Sequence, residues 1–355
     1  MDIEVIHSVE QLSDIREDWE KLWNVQTRPN PYNNWAWIKC WIEAVCGEKR
    51  LCILSLRDVS GNLIGIAPFQ QIPVLPRWLF AVTFIGQETS ISPDLLSLPG
   101  RENEICEKAI EYISGRGNIA GLYLKIAEPA AVAAFLKGKL HVEPYNNMEI
   151  ENYSQRPIIH LPDDYETFLG TLSTKMRQEM RVARKKLEEL PRVEFCHDDR
   201  RIKFETRLKN LFDLNDARWG VSGGRRMYER HYGLLAANKL VKIFALYIDG
   251  RPAAALSALV GGDTLYAELA GIHVDAEKRH LGKYFYGSVI GWAMENGFKY
   301  FDFSSGNEEY KMRFNPILYP KYRITLSGSK LKKTILENRR VLGRRIRWLR
   351  EPALV

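Results

Sequence analysis

Paired cysteines, clustered histidines and long uncharged apolar runs are all missing from this 355-residue sequence. Its five cysteines form no Cys-x-x-Cys pair, which argues against a disulfide framework and against a zinc site. The histidines have no metal-ligand spacing, so we expect no metal site. The longest uncharged run, 59–76, contains Pro68, Pro73 and Pro76, and these prolines exclude a membrane-spanning helix there.

The first residues also lack the cations of a secretory signal, because Asp2 and Glu4 are acidic. Free thiols and the missing signal together predict a cytoplasmic protein. Apolar residues make up 45% of the chain and charged residues 27%, which excludes bulk disorder and allows two folded domains.

The net charge of the chain lies in its last residues. Residues 329–355 contain nine Lys or Arg and two Glu, which equals the formal net charge of +7 for the whole protein. The rest of the chain is therefore neutral, and composition gives it no electrostatic preference for nucleic acid.

Within this tail a helix would place its cations opposite one apolar stripe, formed by Leu331, Ile335, Leu342, Ile346 and Leu349. A basic amphipathic helix suits an anionic membrane surface, here the inner face of the membrane, or an acidic partner. The alternative is a helix that docks on the body of the protein with its cations in water.

Two pairs of similar segments indicate an internal repeat. Residues 53–70 and 243–260 each combine an apolar strand, a polar turn with glycine and a second apolar strand. Residues 106–125 and 286–303 each combine a helix, a glycine turn and a strand. We therefore predict two copies of one α/β (α+β) unit with mixed, largely antiparallel sheets.

The boundary between the copies is predicted near residue 150. The run Glu143-Pro144-Tyr145-Asn146-Asn147 has turn chemistry, and a new strand follows Pro157. The predicted domains are 1–150, 151–328 and the basic tail 329–355.

A phosphate-binding turn is predicted where Arg279, Gly282 and Lys283 open a helix at 282–296. The first N–H groups of a helix have no partner within it, and the positive end of its dipole attracts anions. These three residues are therefore candidates for binding the phosphates of a donor molecule.

Four segments together resemble a known family. They are Pro31-Tyr32-Asn33-Asn34-Trp35, residues 273–303, the run Asp302-Phe303-Ser304-Ser305-Gly306, and Glu309-Tyr310-Lys311. They resemble the GNAT family of N-acetyltransferases, and within it the CelD-like group, which is related to the FemAB peptidyltransferases. FemAB proteins carry two GNAT-like units in one chain, and the resemblance here spans most of residues 10–325. At the last position of the phosphate turn the family has Gly or Ala, whereas this chain has Tyr284, whose ring is expected to hinder a phosphate.

The resemblance implies an N- or O-acyltransferase that moves an acyl group from a thioester, acyl-CoA or acyl-carrier protein, to an amine or hydroxyl. It also implies a small-molecule or saccharide acceptor in polysaccharide or cell-envelope synthesis, and no permanently bound cofactor. One alternative is a FemAB-like aminoacyltransferase that uses charged tRNA. Another is a non-catalytic accessory protein of a membrane polysaccharide synthase, which the bulky Tyr284 would suit.

Two carboxylates are candidates for removing the proton of the acceptor. Asp302 ends a predicted strand beside a glycine turn, and its alternative role is to cap that turn. Glu268 lies in an otherwise apolar strand, where alternation would place it on one face with Tyr266 and Ala270. If that face meets solvent, Glu268 is an ordinary surface residue.

Other candidates would bind or stabilise negative charge. Tyr310 could protonate a leaving thiolate and Lys311 could stabilise an oxyanion, although surface packing is the alternative for both. Arg218 and Trp219 could contact the acceptor, and Trp219 could equally belong to the core. Arg177 and Arg181 lie four residues apart on a basic helix stripe that suits phosphates, with a solvated helix face as the alternative.

Overall fold

The computed structural model of the protein describes residues 1–48, 50–75, 78–140, 145–190, 192–220, 225–273 and 281–337. The chain folds as two units. The first contains Met1–Ser154 together with 319–337, and the second contains Gln155–Leu318. Arg279 and residues 338–355 of the predicted tail lie outside the described residues, as does the side chain of Trp219.

The strands of the first unit follow apolar runs separated by polar turns. Between β2 and β3, for example, the Asp58 carboxylate accepts from the backbone N–H groups of Ser60 and Asn62 and closes the hairpin. The strands are β1 Asp2–Ile6, β2 Leu51–Arg57, β3 Leu63–Leu75, β4 Leu79–Phe84, β5 Leu96–Ser97 and β6 Ile119–Ala127, with part of β7 Met148–His160 and of β13 Ile317–Ser327.

Helices of the first unit pack apolar side chains against this sheet. The buried face of α4 contributes Ile105, Ala109 and Ile113 to a cluster that includes Val82 and Leu124. The helices are α1 Val9–Asp14, α2 Arg16–Asn24, α3 Trp35–Trp41, α4 Glu102–Ser114 and α5 Ala131–Gly138, with α12 Lys330–Glu337 near the C-terminus.

The second unit has a sheet of the same kind. It contains the rest of β7, then β8 Val193–Cys196, β9 Val241–Ile248, β10 Arg251–Gly261, β11 Thr264–Ile272 and β12 Tyr300–Asp302. Its helices are α6 Tyr165–Thr171, α7 Thr174–Glu188, α8 Phe204–Trp219, α9 Arg225–Ala237, α10 Leu281–Glu295 and α11 Glu309–Met312. Its core lies between the sheet and helices α7 and α10, where Met176, Phe285 and Ile290 are buried.

The two sheets have the same strand order, which confirms the predicted mixed α/β fold with two similar units. In the first unit β1, β2, β3 and β4 pair antiparallel, β4 pairs parallel with β6, and β6 pairs antiparallel with β13. In the second, β8 to β11 pair antiparallel, β11 pairs parallel with β12, and β12 pairs antiparallel with β7. A helix connects each parallel pair, α4 in one unit and α10 in the other.

The unit boundaries differ slightly from the predicted domains. The chain passes from the first unit to the second between Ser154 and Gln155. Residues 319–337 return to the first unit, because β13 pairs with β6 from Lys321 to Ser327. The backbone of residues 319–327 thus completes a sheet that is formed mostly by the N-terminal half of the chain.

The described part of the tail, α12, is docked on the first unit. Leu336 is fully buried among Ile72, Val74 and Ala120, while Leu331 is 74% exposed. The close fit depends on Gly121, since a Cβ there would lie 2.1 Å from the Leu326 carbonyl oxygen and 2.9 Å from Leu336. Leu336, which the predicted apolar stripe did not include, is thus the residue that docks α12, and the stripe through Leu331 stays a prediction because most of it lies outside the described residues.

Replacing Leu336 with alanine is expected to lower the free energy of unfolding by about 2–5 kcal/mol, because it removes a fully buried side chain and leaves a cavity. Urea denaturation of the full chain measures the change. The matched control is Leu331→Ala on the same helix, where the side chain is 74% exposed and little change is expected. Equal losses in the two variants would contradict the docking of α12 through Leu336.

Candidate functional site

The parallel strands β11 and β12 of the second unit separate after the first third of β11. They pair from Thr264 with Tyr300 to Tyr266 with Asp302, where β12 ends. β11 continues to Ile272, and within the described residues no strand pairs with this side of it beyond Tyr266. Backbone groups at such an open edge can hydrogen-bond an extended ligand.

Asp302 is fully buried at the point of separation. One carboxylate oxygen accepts from Arg156 Nε at 2.6 Å, and the other accepts from the backbone N–H of Ser304 at 2.8 Å. Ser304 has a positive φ of 70°, and its hydroxyl donates to the Ala267 carbonyl oxygen of β11. These contacts favour the turn-capping role of Asp302, and its catalytic role stays a prediction.

Lys311 is buried as well and holds the loop that follows β12. Its Nζ donates to the Ser305 carbonyl oxygen at 2.6 Å and pairs with the Glu308 carboxylate at 2.7 Å. Burial lowers the pKa of Lys311, and the Glu308 carboxylate partly opposes this shift. Gly306, in the same loop, has a φ of 98°, which glycine adopts without strain. A Cβ at this position would also collide with the Glu308 side chain. Lys311 is therefore already bound to protein oxygens. These contacts explain how a charged side chain can be buried at this position.

Tyr310 is placed by this loop against other aromatic rings. Its ring centroid lies 5.5 Å from that of Tyr286, and the two hydroxyl oxygens are 3.5 Å apart. Burial raises the pKa of Tyr310 well above the usual tyrosine value and that of Tyr286 to about 12. Both phenols are therefore protonated at neutral pH, as a proton donor must be.

Arg218, at the end of α8, lies near these two phenols. Its positive charge lowers the pKa of Tyr286 and of Tyr310, although burial outweighs this effect. Two predicted site residues, Arg218 and Tyr310, are thus close enough for the charge of one to affect the pKa of the other. The predicted partner Trp219 has its side chain outside the described residues.

Glu268 is the extra residue of a β-bulge. Ser257 of β10 pairs with Leu269 and Ala258 pairs with Ala267, so Glu268 has no opposite residue. The bulge breaks the alternation, and Ala270 packs with Ala267 on the face towards α7 and α10. The expectation that Glu268 and Ala270 share a face is therefore wrong.

A polar network that the sequence did not reveal holds Glu268. The hydroxyl of Tyr232 donates to Glu268 Oε2 at 3.4 Å and lies 3.2 Å from Ser257 Oγ. Ser257 Oγ also accepts from the backbone N–H of Leu269 at 3.1 Å, beside the bulge. Burial and the Glu268 carboxylate raise the pKa of Tyr232 well above its usual value. A serine and a tyrosine separated by 25 residues in the sequence give no spacing signal that could have identified this network.

The second half of β11 is held by α8. Asn215 Nδ2 donates to the Ala270 carbonyl oxygen at 3.0 Å. A Cβ on Gly271 would lie 2.6 Å from the Leu214 Cβ, so only glycine permits this approach of helix and strand. The part of the sequence around Asn215 therefore positions the open edge of β11.

The predicted phosphate turn is only partly described. Gly282 packs closely against β11, since a Cβ there would lie 2.9 Å from Ile272. Lys283 Nζ pairs with Glu179 on α7 at 2.5 Å, and Arg313 contacts the same carboxylate at 3.2 Å. Tyr284 is partly buried and packs against the apolar cluster that contains Leu281, as does Ile272.

The two arginines of α7 have different surroundings. Arg177 Nη1 donates to the Leu172 carbonyl oxygen at 2.6 Å, so its guanidinium closes the end of α6. Arg181 is exposed on the same helix. Lys283 and Arg177 are thus engaged within the protein, whereas Arg181 is open to solvent.

Within the described ranges, no group of three or more His, Cys, Asp or Glu side chains is arranged to hold a metal ion. No described helix has both the length and the apolar character that crossing a membrane requires.

Comparison with known families matches residues 174–312 to the family described as "Acetyltransferase (GNAT) domain". The match runs from the first residue of α7 to the last residue of α11 and so contains β11, β12 and the candidate site between them. A search of the curated proteins gives no match.

Solved structures similar to this chain have low sequence identity and nearly full coverage. FemX is 11% identical with a TM-score of 0.65, covering 94% of this chain and 100% of FemX. L-PGS from Bacillus licheniformis is 12% identical with a TM-score of 0.56, covering 92% and 96%. The C-terminal domain of a protein named as a lysylphosphatidylglycerol synthetase from Agrobacterium fabrum is 11% identical with a TM-score of 0.55, covering 93% and 96%. These likenesses establish the fold.

The Asp302→Asn variant is expected to lose about 3–5 kcal/mol of unfolding free energy, because it removes the negative charge beside the buried Arg156 guanidinium. The control is the double variant Asp302→Asn, Arg156→Met, which removes both charges and should lose less. Urea denaturation gives both values. A single variant that is as stable as the wild type but inactive would instead support a catalytic role of Asp302.

Proposed function

We propose, from the match of residues 174–312 to the GNAT acetyltransferase domain, that this protein transfers an acyl group from a thioester, carried by CoA or by an acyl-carrier protein, to an amine or hydroxyl. The observation that carries the proposal is the open edge of β11 beside the start of α10. A pantetheine arm is an extended chain with amide groups, which such an edge can hydrogen-bond.

The proposed reaction is direct attack of the acceptor on the thioester carbonyl carbon. Glu268 takes the proton of the acceptor nitrogen or oxygen as the new bond forms. When the carbon–sulfur bond breaks, the thiolate takes a proton from the Tyr310 hydroxyl. Proton exchange with water then restores both side chains, and no covalent enzyme intermediate is required.

Two observations support these roles. Glu268 lies at a bulge, a feature that is common next to active sites, and Tyr232 orients its carboxylate. Burial keeps Tyr310 protonated, and Arg218 lies near enough to influence its pKa. Arg218 would also favour the negative charge that develops during transfer.

The acceptor is proposed to be a saccharide or another small molecule, and polysaccharide or cell-envelope synthesis is the setting that we favour. The sequence resemblance to the CelD-like group supports this choice. A non-catalytic accessory role stays the alternative that the bulky Tyr284 suggested.

A second candidate is aminoacyl transfer from a charged tRNA. Two cations expected to bind the phosphates of CoA are engaged within the protein, Lys283 with Glu179 and Arg177 with the end of α6. The likeness to a protein named as a lysylphosphatidylglycerol synthetase supports the same candidate.

A panel of thermal shifts with acetyl-CoA, CoA and tRNA distinguishes the donors, because a ligand that binds only the native state raises its melting temperature. We expect acetyl-CoA and CoA to raise it. A rise with tRNA alone would favour aminoacyl transfer. No rise with any of the three, together with no release of thiol from acetyl-CoA in the presence of glucosamine, would contradict thioester transfer.

Glu268→Gln is expected to lower kcat by about 100-fold or more, because it keeps the shape of the side chain and removes the base. The shift in melting temperature that the donor causes should stay unchanged. Glu295→Gln, the same exchange at an exposed position near the end of α10, is the matched control and should keep full activity. Thiol release from the donor is the readout, and full activity of Glu268→Gln would remove Glu268 from the mechanism.

A further inference from the structure

A glutamine side chain lies between two parallel strands of the first unit. These strands, β4 and β6, pair along the chain until Val82 pairs with Leu122. Gln87, in the turn that follows β4, is only 3% exposed although its side chain ends in a polar amide. A buried amide needs hydrogen-bond partners within the protein, and Gln87 has them on both strands.

The Gln87 amide joins the two strands beyond their last backbone pair. Its Oε1 atom accepts from the backbone N–H groups of Phe84 on β4 at 3.3 Å and of Lys125 on β6 at 3.2 Å. Its Nε2 atom donates to the Tyr123 carbonyl oxygen of β6 at 3.1 Å. The side chain thus makes the hydrogen bonds that an amide of an extended ligand would make between two separated strands.

Gln70 of β3 binds the remaining backbone group of Phe84. Its Nε2 atom donates to the Phe84 carbonyl oxygen at 3.3 Å, and the Gln87 backbone N–H donates to the same oxygen at 3.4 Å. A ligand amide could enter here only by breaking hydrogen bonds of this kind. Exchange of one amide for another yields little net free energy, and the ligand would also lose its translational freedom.

The corresponding strands of the second unit have no such side chain in their own sequence. β11 and β12 hold the positions of β4 and β6 in the strand order, and their last pair is Tyr266 with Asp302. From Lys239 to Glu295, a range that includes β11 and the segment after it, the chain contains neither Asn nor Gln. This part of the chain therefore supplies no amide of its own to fill the space beside β11.

Two side chains from outside this range do reach β11 beyond its last pair with β12. The Ser304 hydroxyl donates to the Ala267 carbonyl oxygen, and Asn215 Nδ2 donates to the Ala270 carbonyl oxygen. Both of these contacts are made to carbonyl oxygens of one strand. Gln87, in contrast, also accepts from N–H groups on both strands of its pair.

We propose that the space between β4 and β6 is an amide-binding site that the chain fills with its own Gln87, so that one donor molecule binds per chain, at β11. A pantetheine arm also carries amide groups. In the first unit it would compete with a side chain that is covalently attached and therefore present at a high effective concentration. The stoichiometry rests on the proposed function, whereas the amide-binding site does not.

Removal of the Gln87 amide tests the site. Gln87→Ala deletes a fragment with the size and polarity of acetamide and leaves three backbone groups without their partner. We expect the melting temperature to fall by about 5–10 °C. Added acetamide should raise the melting temperature of this variant, because it can restore the lost hydrogen bonds, and should leave that of the wild type unchanged. Acetone has the same shape but no N–H donor, so it should have a smaller effect.

Gln87→Met is the matched control, because it fills the same space without an amide. Its melting temperature should fall, and acetamide should not raise it. If Gln87→Ala is unfolded in buffer, circular dichroism should show that acetamide restores the fold and that acetone does not. Failure of acetamide to stabilise Gln87→Ala, or an equal effect on Gln87→Ala, Gln87→Met and the wild type, would overturn the amide-binding site.

Calorimetric titration of the full chain with CoA tests the stoichiometry. The wild type should bind one CoA per chain, and so should Gln87→Met, because Gln87 lies outside the proposed donor site. Two molecules per wild-type chain would contradict the occupied site in the first unit. An absence of CoA binding would count against the proposed function instead, and the acetamide experiment would then decide on the amide-binding site by itself.

Discussion

The buried ion pair between Arg156 and Asp302 is the interaction on which the candidate site depends. It lies at 2.6 Å, at the residue where β12 ends, and Asp302 also caps the turn through the backbone N–H of Ser304. A buried charge without its partner strongly destabilises a fold. Separation of Arg156 from Asp302 would therefore be costly, and this holds the local backbone in place. β12 ends at this pair, whereas β11 continues to Ile272 along β10, and within the described part of the chain its other edge is unpaired by any strand beyond Ala267, whose carbonyl oxygen accepts from Ser304.

Some residues around this edge hold the backbone in place, and others are candidates for the chemistry. Asp302, Lys311 and Gly306 build a loop that fixes Tyr310 against Tyr286. The bulge at Glu268 directs a carboxylate towards Tyr232 instead of into the core. The proposed function assigns the chemistry to a carboxylate with a hydrogen bond from Tyr232 and to a phenol that burial keeps protonated.

Both units use the same order of strands, and the candidate site lies at β11 and β12 of the second. On the sheet of the first unit, α12 packs through Leu336 next to Gly121 of β6. The C-terminal segment therefore completes a sheet with β13 and also begins the most basic part of the chain.

The sequence by itself determined the two-unit α/β fold, because apolar periodicity and glycine turns recur in both halves and local pattern governs secondary structure. It also located α10 and the segment from Asp302 to Lys311. Only the tertiary structure decided which partners these residues contact. Arg156 is 146 residues from Asp302 and Glu179 is 104 residues from Lys283, so no local pattern reports either pair. The bulge at Glu268 and the burial of Leu336 instead of Leu331 likewise depend on packing partners from distant segments.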